Sequence, residues 1–329
     1  MARVFSGIQP TGELHLGNYL GAVVNWVADL EVDTSTFCIV DLHALTIPKD
    51  PRELRTRTLD LAAQLMASGL DPERCTLFVQ SHVRAHTELA WVMQCTAAFG
   101  ELRRMTQFKD KSDRAEFISA GLFAYPALQA ADILLYDTEK VPVGDDQRQH
   151  IELCRDLAER FNSRYGETLV VPAHSIPRAG ARVMDLQSPT SKMSKSLDSP
   201  QGTVMLLDDP ETIARKFKRA ETDSLGSVAF DPAVQPGVAN LLSILAAATG
   251  GDAASLAEDF TQYGPLKAAC AEAVSELLAP VRARHAELSS DPAELSRELA
   301  AGAAKATVTA EAVLDRVRAA IGLTPRSSA

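Results

Sequence analysis

Several features that would assign the chain to a membrane, a secreted scaffold or a metal site are missing from its sequence. No apolar run reaches the roughly 18 residues that a membrane-spanning helix needs. The cysteines are widely spaced, odd in number and form no C-x-x-C pair, so neither a disulfide framework nor a zinc site is indicated. We expect all of them to be small buried side chains; they are Cys38, Cys75, Cys95, Cys154 and Cys270.

The amino terminus lacks the long apolar segment of a signal peptide, which favours a cytoplasmic protein without a membrane partner. With 329 residues, 46% hydrophobic and 23% charged, the composition is that of a globular protein large enough for more than one domain. A net charge of −10 argues against general affinity for nucleic acid. This net charge is compatible with local basic surfaces, and residues 103–111 and 215–219 are the candidates.

The first half of the chain alternates short apolar runs with helical patterns. A helix is predicted from Leu16 to Leu30, and Asp50 before Pro51 is typical of the start of another. Such alternation predicts a doubly wound parallel sheet of the Rossmann type, with helices on both faces. The runs typical of its buried strands are residues 4–8, 37–40, 76–80, 141–143 and 169–171.

The second half has a different character. From about residue 210 the strand-like runs nearly stop, alanine becomes dense, and helical spacing continues to about Ile321. We therefore predict an α/β domain over residues 1–200 and a smaller all-α domain over residues 201–329. We leave open that the last helix packs back on the first domain.

A glycine-rich loop between the first strand and the first helix, at residues 6–21, has the layout of a phosphate-binding site. Glycines let the backbone approach an anion, and the helix amino terminus offers free N–H groups to it. Gly12 and Gly17 have the spacing of a P-loop, but Asn18 and Tyr19 replace its lysine and hydroxyl residue. Alone, the loop is either a phosphate site or a structural turn.

A second candidate lies far along the chain, at residues 192–196. It holds two lysines and two serines and is bracketed by Pro189 and Pro200. This pattern indicates a mobile loop that offers positive charge, or else a solvated basic loop without a ligand.

Together the two loops carry a family resemblance. His15–Asn18 resembles the "HIGH" motif, and residues 192–196 read KMSKS, so the chain resembles the class I aminoacyl-tRNA synthetases. The resemblance narrows to the bacterial tryptophanyl-tRNA synthetases and covers nearly the whole chain. The segments that carry it are residues 5–12, 105–111, 37–43, 125–136 and 141–147.

The resemblance implies that ATP activates L-tryptophan to an adenylate, with release of pyrophosphate, and that tryptophan then passes to tRNA(Trp). ATP would be a substrate, and Mg²⁺ would be carried with the nucleotide, without a dedicated metal site. The chain would be a homodimer. Residues 1–200 would be the catalytic domain and residues 201–329 the anticodon-binding domain.

The resemblance also implies which residues meet ATP. Lys192, Lys195 and Lys111 would neutralise the leaving pyrophosphate, and Asn18 would hydrogen-bond the phosphates; these are the predicted catalytic residues. No nucleophile or general base is required of the protein. The full set of predicted ATP-binding residues is Gln9, Pro10, Thr11, Gly17, Asn18, Gly144, Asp145, Asp146, Val183, Lys192, Met193, Ser194, Lys195 and Ser196.

For tryptophan, the predicted selecting residue is Asp132, a carboxylate within a strongly apolar helix that would accept the indole N–H. Gln129 stands where related sequences have methionine, and its role stays open between a second hydrogen bond to the indole and simple packing. The other residues implied for this pocket are Phe5, Gly7, His43, Tyr125, Val141, Val143 and Gln147.

Three other interpretations remain at this point. The chain could resemble a tyrosyl-type synthetase, although that family usually carries a phenylalanine-containing variant of the lysine loop. It could be a related adenylyl transferase that uses no tRNA. It could also be a synthetase-like paralogue with a regulatory role, for which eroded motifs would be expected.

Overall fold

The computed structural model describes residues 1–106, 118–144, 147–175, 182–194 and 200–324. Its centre is a five-stranded, entirely parallel sheet with the strand order β3-β2-β1-β4-β5. This confirms the predicted α/β class with a parallel sheet. The strands are β1 (Arg3–Ile8), β2 (Thr34–Ile39), β3 (Thr76–Val79), β4 (Lys140–Pro142) and β5 (Ala173–Ser175).

Helices flank this sheet, and from residue 210 onward the described chain consists of helices and the loops between them. None of the described helices combines the length and the apolar character needed to cross a bilayer. They are α1 (Leu16–Asn18), α2 (Val24–Asp29), α3 (Asp41–Ala44), α4 (Pro51–Ala67), α5 (Ala85–Thr96), α6 (Phe99–Arg104), α7 (Ala120–Leu134), α8 (Arg148–Tyr165), α9 (Pro210–Lys218), α10 (Pro236–Thr249), α11 (Ala253–Ala257), α12 (Tyr263–Ser290) and α13 (Pro292–Ala320).

The predicted helix starts agree with the structure. Between α1 and α2 the chain continues as a π-helical segment, Tyr19–Val23, so the predicted helix from Leu16 is one helical stretch with a wider middle. The carboxylate of Asp50 accepts the N–H groups of Arg52 and Glu53 at the start of α4, as expected for an N-cap.

Both faces of the sheet are buried, as its continuous apolar strands predict. In β2 the side chains of Phe37 and Ile39 join one hydrophobic cluster, and Cys38 between them joins the other. In β3, Leu77 joins the first of these clusters and Phe78 joins the second. This period of two follows from the pleat of a strand, and it explains why these runs show no alternation of apolar and polar residues.

One predicted strand is wrong. Residues 169–171 do not pair in the sheet, and the last strand lies further along, at β5. The side chain of Asn162 explains the difference: it accepts the N–H of Leu169 at 2.9 Å and donates to the Leu169 carbonyl at 2.8 Å. Leu169 is nevertheless buried, so the apolar run contributes to the core without pairing as a strand.

The expectation for the cysteines is wrong at one position. All five are free thiols, and four of them are buried, but Cys95 is exposed near the end of α5. The reason is its place on that helix, because Met93 and Thr96 take the positions that face inward.

The helical second half is not separated from the sheet by a gap in the core. One hydrophobic cluster contains Leu61 and Leu65 of α4 together with Val274 and Leu278 of α12. The last helix, α13, joins the cluster on the opposite face of the sheet through residues such as Val313. The boundary that we predict at residue 200, between a catalytic and an anticodon-binding domain, thus remains a prediction.

Gly302 is a point of close approach between α13 and the sheet. A Cβ atom at this position would lie 1.9 Å from the carbonyl oxygen of Leu77 in β3. β3 is an edge strand, so α13 covers an edge that would otherwise expose unpaired backbone groups.

We expect Gly302→Ala to lower the free energy of unfolding by about 1–3 kcal/mol, because the added methyl group forces helix and strand apart. Gly264→Ala is the matched control, since Gly264 lies in α12 and a Cβ there meets nothing within 4 Å. That control is expected to be neutral or to stabilise by up to about 1 kcal/mol. Urea denaturation of both variants tests this; equal stability of the two would contradict it.

Candidate active site

The strand order places a crevice at the carboxyl end of β1. β1 pairs with β2 on one side and with β4 on the other, so the chain reverses its direction across the sheet at this point. Ligands of open α/β sheets bind in such crevices. A cavity of about 450 Å³ lies here, between the ends of these strands and α7.

The cavity collects every residue that was predicted for tryptophan. Those residues are Phe5, Gly7, His43, Tyr125, Gln129, Asp132, Val141, Val143 and Gln147. Gln9, predicted for ATP, also lines it. The wall contains further residues that the sequence did not single out: Ser6, Trp26, Val40, Thr46, Ile133 and Pro142.

Helical spacing on α7 explains how one element supplies several of these groups. Tyr125, Gln129 and Asp132 are separated by four and three residues, which places them on one face of the helix. Gln129 is half-buried there and lines the cavity. Its role in binding stays a prediction.

The carboxylate of Asp132 is almost completely buried, with 1% of the residue exposed. Its Oδ1 accepts hydrogen bonds from Gln80 Nε2 at 2.7 Å and from His86 Nδ1 at 2.7 Å. Its Oδ2 lies 2.9 Å from Nε2 of His43. On its far side, His86 places Nε2 2.8 Å from the hydroxyl of Tyr136.

These contacts decide the charge of the carboxylate. Burial alone would raise the pKa of Asp132, but the hydrogen bonds and electrostatic attraction of His43 and His86 bring that pKa below its usual value. Asp132 is therefore ionised at neutral pH and acts only as an acceptor. Tyr136 stays neutral, because burial raises the pKa of its hydroxyl far above its usual value.

A second polar pair closes another side of the cavity. The hydroxyl of Tyr125 lies 2.7 Å from Nε2 of His150, and both residues are buried. Burial raises the pKa of Tyr125 to about 12, so this side chain is uncharged at neutral pH. The cavity thus has aromatic and aliphatic walls, one ionised carboxylate and a few neutral polar groups.

The glycine-rich loop runs from β1 into α1 and is held by its own side chains. Nδ1 of His15 accepts the N–H of Asn18 at 3.2 Å, and Oδ1 of Asn18 accepts the N–H of His15 at 3.1 Å. This reciprocal pair caps α1 and fixes the loop geometry. His15 is buried, in agreement with a role in shaping the loop.

The two loops that are far apart in the sequence meet in the structure. A Cβ at Gly17 would lie 3.4 Å from Cβ of Met193, which is itself buried. The N–H of Leu16 donates to the carbonyl of Val204 at 2.8 Å, beyond the lysine loop. The first loop therefore contacts both the start of the lysine segment and the strand-like stretch that follows it.

Backbone bonds hold the described part of the lysine segment. Met193 donates its N–H to the Val183 carbonyl at 3.1 Å, and Lys192 pairs with Met184 in an isolated bridge. The side chains of Val183 and Met193 are buried, whereas Lys192 is exposed.

The remaining predicted site residues fall into two groups. Asp145, Asp146, Lys111, Lys195 and Ser196 lie outside the described residues. Gln9, which lines the crevice, is exposed, as are Thr11 and Gly144, and Pro10 is buried.

Three residues of the Asp132 network were missed at the sequence level: Gln80, His86 and Tyr136. Gln80 carried a signal, since it directly follows β3, where the carboxyl ends of parallel strands meet. No signal in the sequence indicated His86 or Tyr136, because their part in the network arises only when α5 packs against α7.

Comparisons with known proteins agree with this geometry. Residues 1–279 match the family described as tRNA synthetases class I (W and Y). A tryptophan–tRNA ligase of Streptomyces coelicolor is 52% identical over 99% of this chain and 98% of its own length.

Two solved structures are similar over the whole fold. The tryptophanyl-tRNA synthetase of Mycoplasma pneumoniae superposes with a TM-score of 0.89 at 36% identity, covering 98% of each chain. That of Campylobacter jejuni, complexed with ADP and tryptophan, gives 0.86 at 33% identity over 98% of this chain and 100% of its own. The chain therefore belongs to the class I tRNA synthetases for tryptophan and tyrosine, and within them to the bacterial tryptophanyl-tRNA synthetases.

Proposed function

We propose that this chain is a tryptophan–tRNA ligase, which activates L-tryptophan with ATP and then transfers it to tRNA(Trp). The observation that carries the proposal is the ionised, buried carboxylate of Asp132 at the wall of an otherwise largely apolar cavity. The family membership and the ADP- and tryptophan-bound Campylobacter jejuni relative support the same reaction.

Asp132 gives the cavity its selectivity in this proposal. An indole carries one N–H donor, which phenylalanine lacks. A buried carboxylate that accepts this donor discriminates strongly, because it is left short of a partner when the donor is missing. The cavity is lined by Phe5, Val141, Val143, Tyr125 and Gln147. The first three are proposed to supply apolar contact for the ring, and Tyr125 and Gln147 are proposed to hold the amino group.

ATP binds, in this proposal, across the glycine-rich loop and the lysine segment. Oδ1 of Asn18 is already engaged by the backbone of His15, which leaves its Nδ2 group to donate to a phosphate. Gly17 brings the backbone close to the nucleotide. The remaining proposed contacts are Gln9, Pro10, Thr11, Gly144, Asp145, Asp146, Val183, Met193, Ser194 and Ser196.

The chemical step needs positioning and charge stabilisation. The carboxylate of tryptophan attacks the α-phosphate in line, and pyrophosphate leaves. Lys192, Lys195 and Lys111 are proposed to stabilise the negative charge on the leaving group. Mg²⁺ enters with ATP and lowers the phosphate charge; no cluster of three potential metal-binding side chains occurs among the described residues.

The helical part of the chain, from residue 201 onward, is proposed to bind the anticodon end of the tRNA. It joins the α/β part through a shared hydrophobic core, which provides a firm connection between the two functions. A cytoplasmic location belongs to the same proposal.

A homodimer is also proposed, and an exposed apolar surface supports it. This surface comprises Leu45, Ile47, Phe99 and Ile118, which are 47–69% exposed. Ser119 connects two of its parts by donating to the Thr46 carbonyl at 3.1 Å, and the ring of Phe99 packs 4.9 Å from that of Phe123 in α7. Exposed apolar groups gathered in one place are typical of a subunit interface.

The activity is tested by exchange of labelled pyrophosphate into ATP. We expect exchange that depends on tryptophan, with little exchange when tyrosine replaces it. Exchange with tyrosine but not with tryptophan would overturn the proposal. Charging of purified tRNA(Trp) separates a ligase from an adenylyl transferase that uses no tRNA.

Asp132→Asn is expected to reduce kcat/KM for tryptophan in this exchange by roughly 10- to 100-fold, because the indole loses a charged acceptor. The matched control is Asp137→Asn, just beyond the same helix, where a positive φ of 46° suits asparagine. The control is expected to retain native kcat/KM. Unchanged kcat/KM in Asp132→Asn would exclude Asp132 as the selecting group.

Phe99→Glu is expected to convert a dimer of twice 35.4 kDa into a monomer, because it buries a charge in the proposed interface. Val308→Glu, on the exposed face of α13, is the matched control and should remain dimeric. Analytical ultracentrifugation measures both. A native monomer, or a dimeric Phe99→Glu protein, would count against this interface.

A further inference from the structure

The partners of Asp132 fall into two groups that differ in their access to the cavity. Gln80 and His86, which bond Oδ1, do not line the cavity. His43, which bonds Oδ2, does line it. The carboxylate is therefore held from behind through one oxygen and turns the other towards the space that the substrate would occupy.

Hydrogen-bond capacity sharpens this division. Each carboxylate oxygen accepts about two hydrogen bonds. Oδ1 is saturated by Gln80 and His86, while Oδ2 has one described partner and one remaining site. A single donor from a ligand therefore completes the set, and an indole has a single donor.

His86 is held at both ends, because each of its ring nitrogens has a hydrogen-bond partner. Since ionised Asp132 only accepts, Nδ1 of His86 carries the proton. Nε2 meets the hydroxyl of Tyr136, whose ring stacks on Phe5 at 5.5 Å with an interplanar angle of 9°. Phe5 is part of the cavity wall, so His86 links the carboxylate to the apolar surface that would hold the indole.

We propose that His86 is a positioning residue for tryptophan selection: with Tyr136 it fixes Oδ1 of Asp132, so that Oδ2 presents one acceptor to the indole N–H. This inference rests on the proposed function. His86 does not touch the substrate, since it lies behind the carboxylate and is fully buried. It acts by preventing the carboxylate from turning and losing its alignment.

The test compares two substrates that differ only in the recognised group. L-Tryptophan has the indole N–H, and L-β-(benzothiophen-3-yl)alanine has a sulfur atom in its place within a similar bicyclic shape. The quantity measured is the ratio of kcat/KM for tryptophan to kcat/KM for the sulfur analogue, by ATP–pyrophosphate exchange, together with the separate values of KM and kcat.

Two substitutions at His86 form a matched pair. In His86→Leu no donor faces Oδ1, and the selectivity ratio is expected to fall at least about 10-fold, mainly through a higher KM for tryptophan. In His86→Asn the side-chain amide nitrogen takes the position of Nδ1 and donates to Oδ1, so the ratio is expected to stay well above that of His86→Leu. Tyr136→Phe keeps the stacked ring and should lower the ratio by about threefold.

A merely structural role for His86 predicts a different result. His86→Leu would then reduce kcat/KM for both substrates by the same factor and leave the ratio unchanged, which would overturn the proposal. If His86→Leu does not fold, as judged by circular dichroism, Tyr136→Phe decides, and an unchanged ratio in that variant overturns it. Absence of tryptophan-dependent exchange in the native protein would instead contradict the proposed function.

Discussion

The buried negative charge of Asp132 is the interaction on which the α/β part of the molecule depends. Moving a carboxylate out of water costs several kcal/mol unless hydrogen bonds and opposite charge compensate for it. The compensation comes from three places: His43 in α3, Gln80 directly after β3, and His86 in α5. These side chains reach the carboxylate only if β2, β3 and the helices that follow them place each donor at hydrogen-bond distance from it. The hydrogen bonds of the proposed selecting residue and the packing of α5 against α7 therefore constrain each other.

A second constraint is the contact between two loops that stand about 180 residues apart. Gly17 leaves room for Met193, and backbone bonds join Leu16 to Val204 and Leu206 to Leu14. The buried ammonium group of Lys216 supports the second loop by donating to the Thr203 carbonyl at 2.8 Å and to Asp208 at 2.6 Å. Because β1 runs from the cavity wall at Phe5 directly into the first loop, one short segment borders both proposed substrates. This proximity is what an in-line transfer between two bound reactants requires.

The alanine-rich second half serves close packing. Ala303, Ala306 and Ala310 bring α13 near to the sheet, and Gly302 removes the last side chain where the helix crosses Leu77. Larger residues would hold the helix away and leave the edge of β3 uncovered. A helix that lies on a strand edge therefore requires small residues along one face. Through this contact the carboxyl-terminal part of the chain packs against the sheet that carries the cavity.

The sequence by itself determined the class of fold, the strands β1 to β4, the capped start of α4, and the two loops of the proposed nucleotide site. These follow from local properties: apolar runs, glycine spacing, caps and short motifs. It also indicated Asp132, since an ionisable residue in so apolar a helix stands out. Only the tertiary structure decided that Leu169 lies in a loop held by the side chain of Asn162, and that Cys95 faces outward. It also decided that Gln80, His86 and Tyr136 surround the carboxylate. The reason is physical: hydrogen bonds between residues 46 to 52 positions apart leave no local pattern, because their geometry exists only after separate strands and helices have packed.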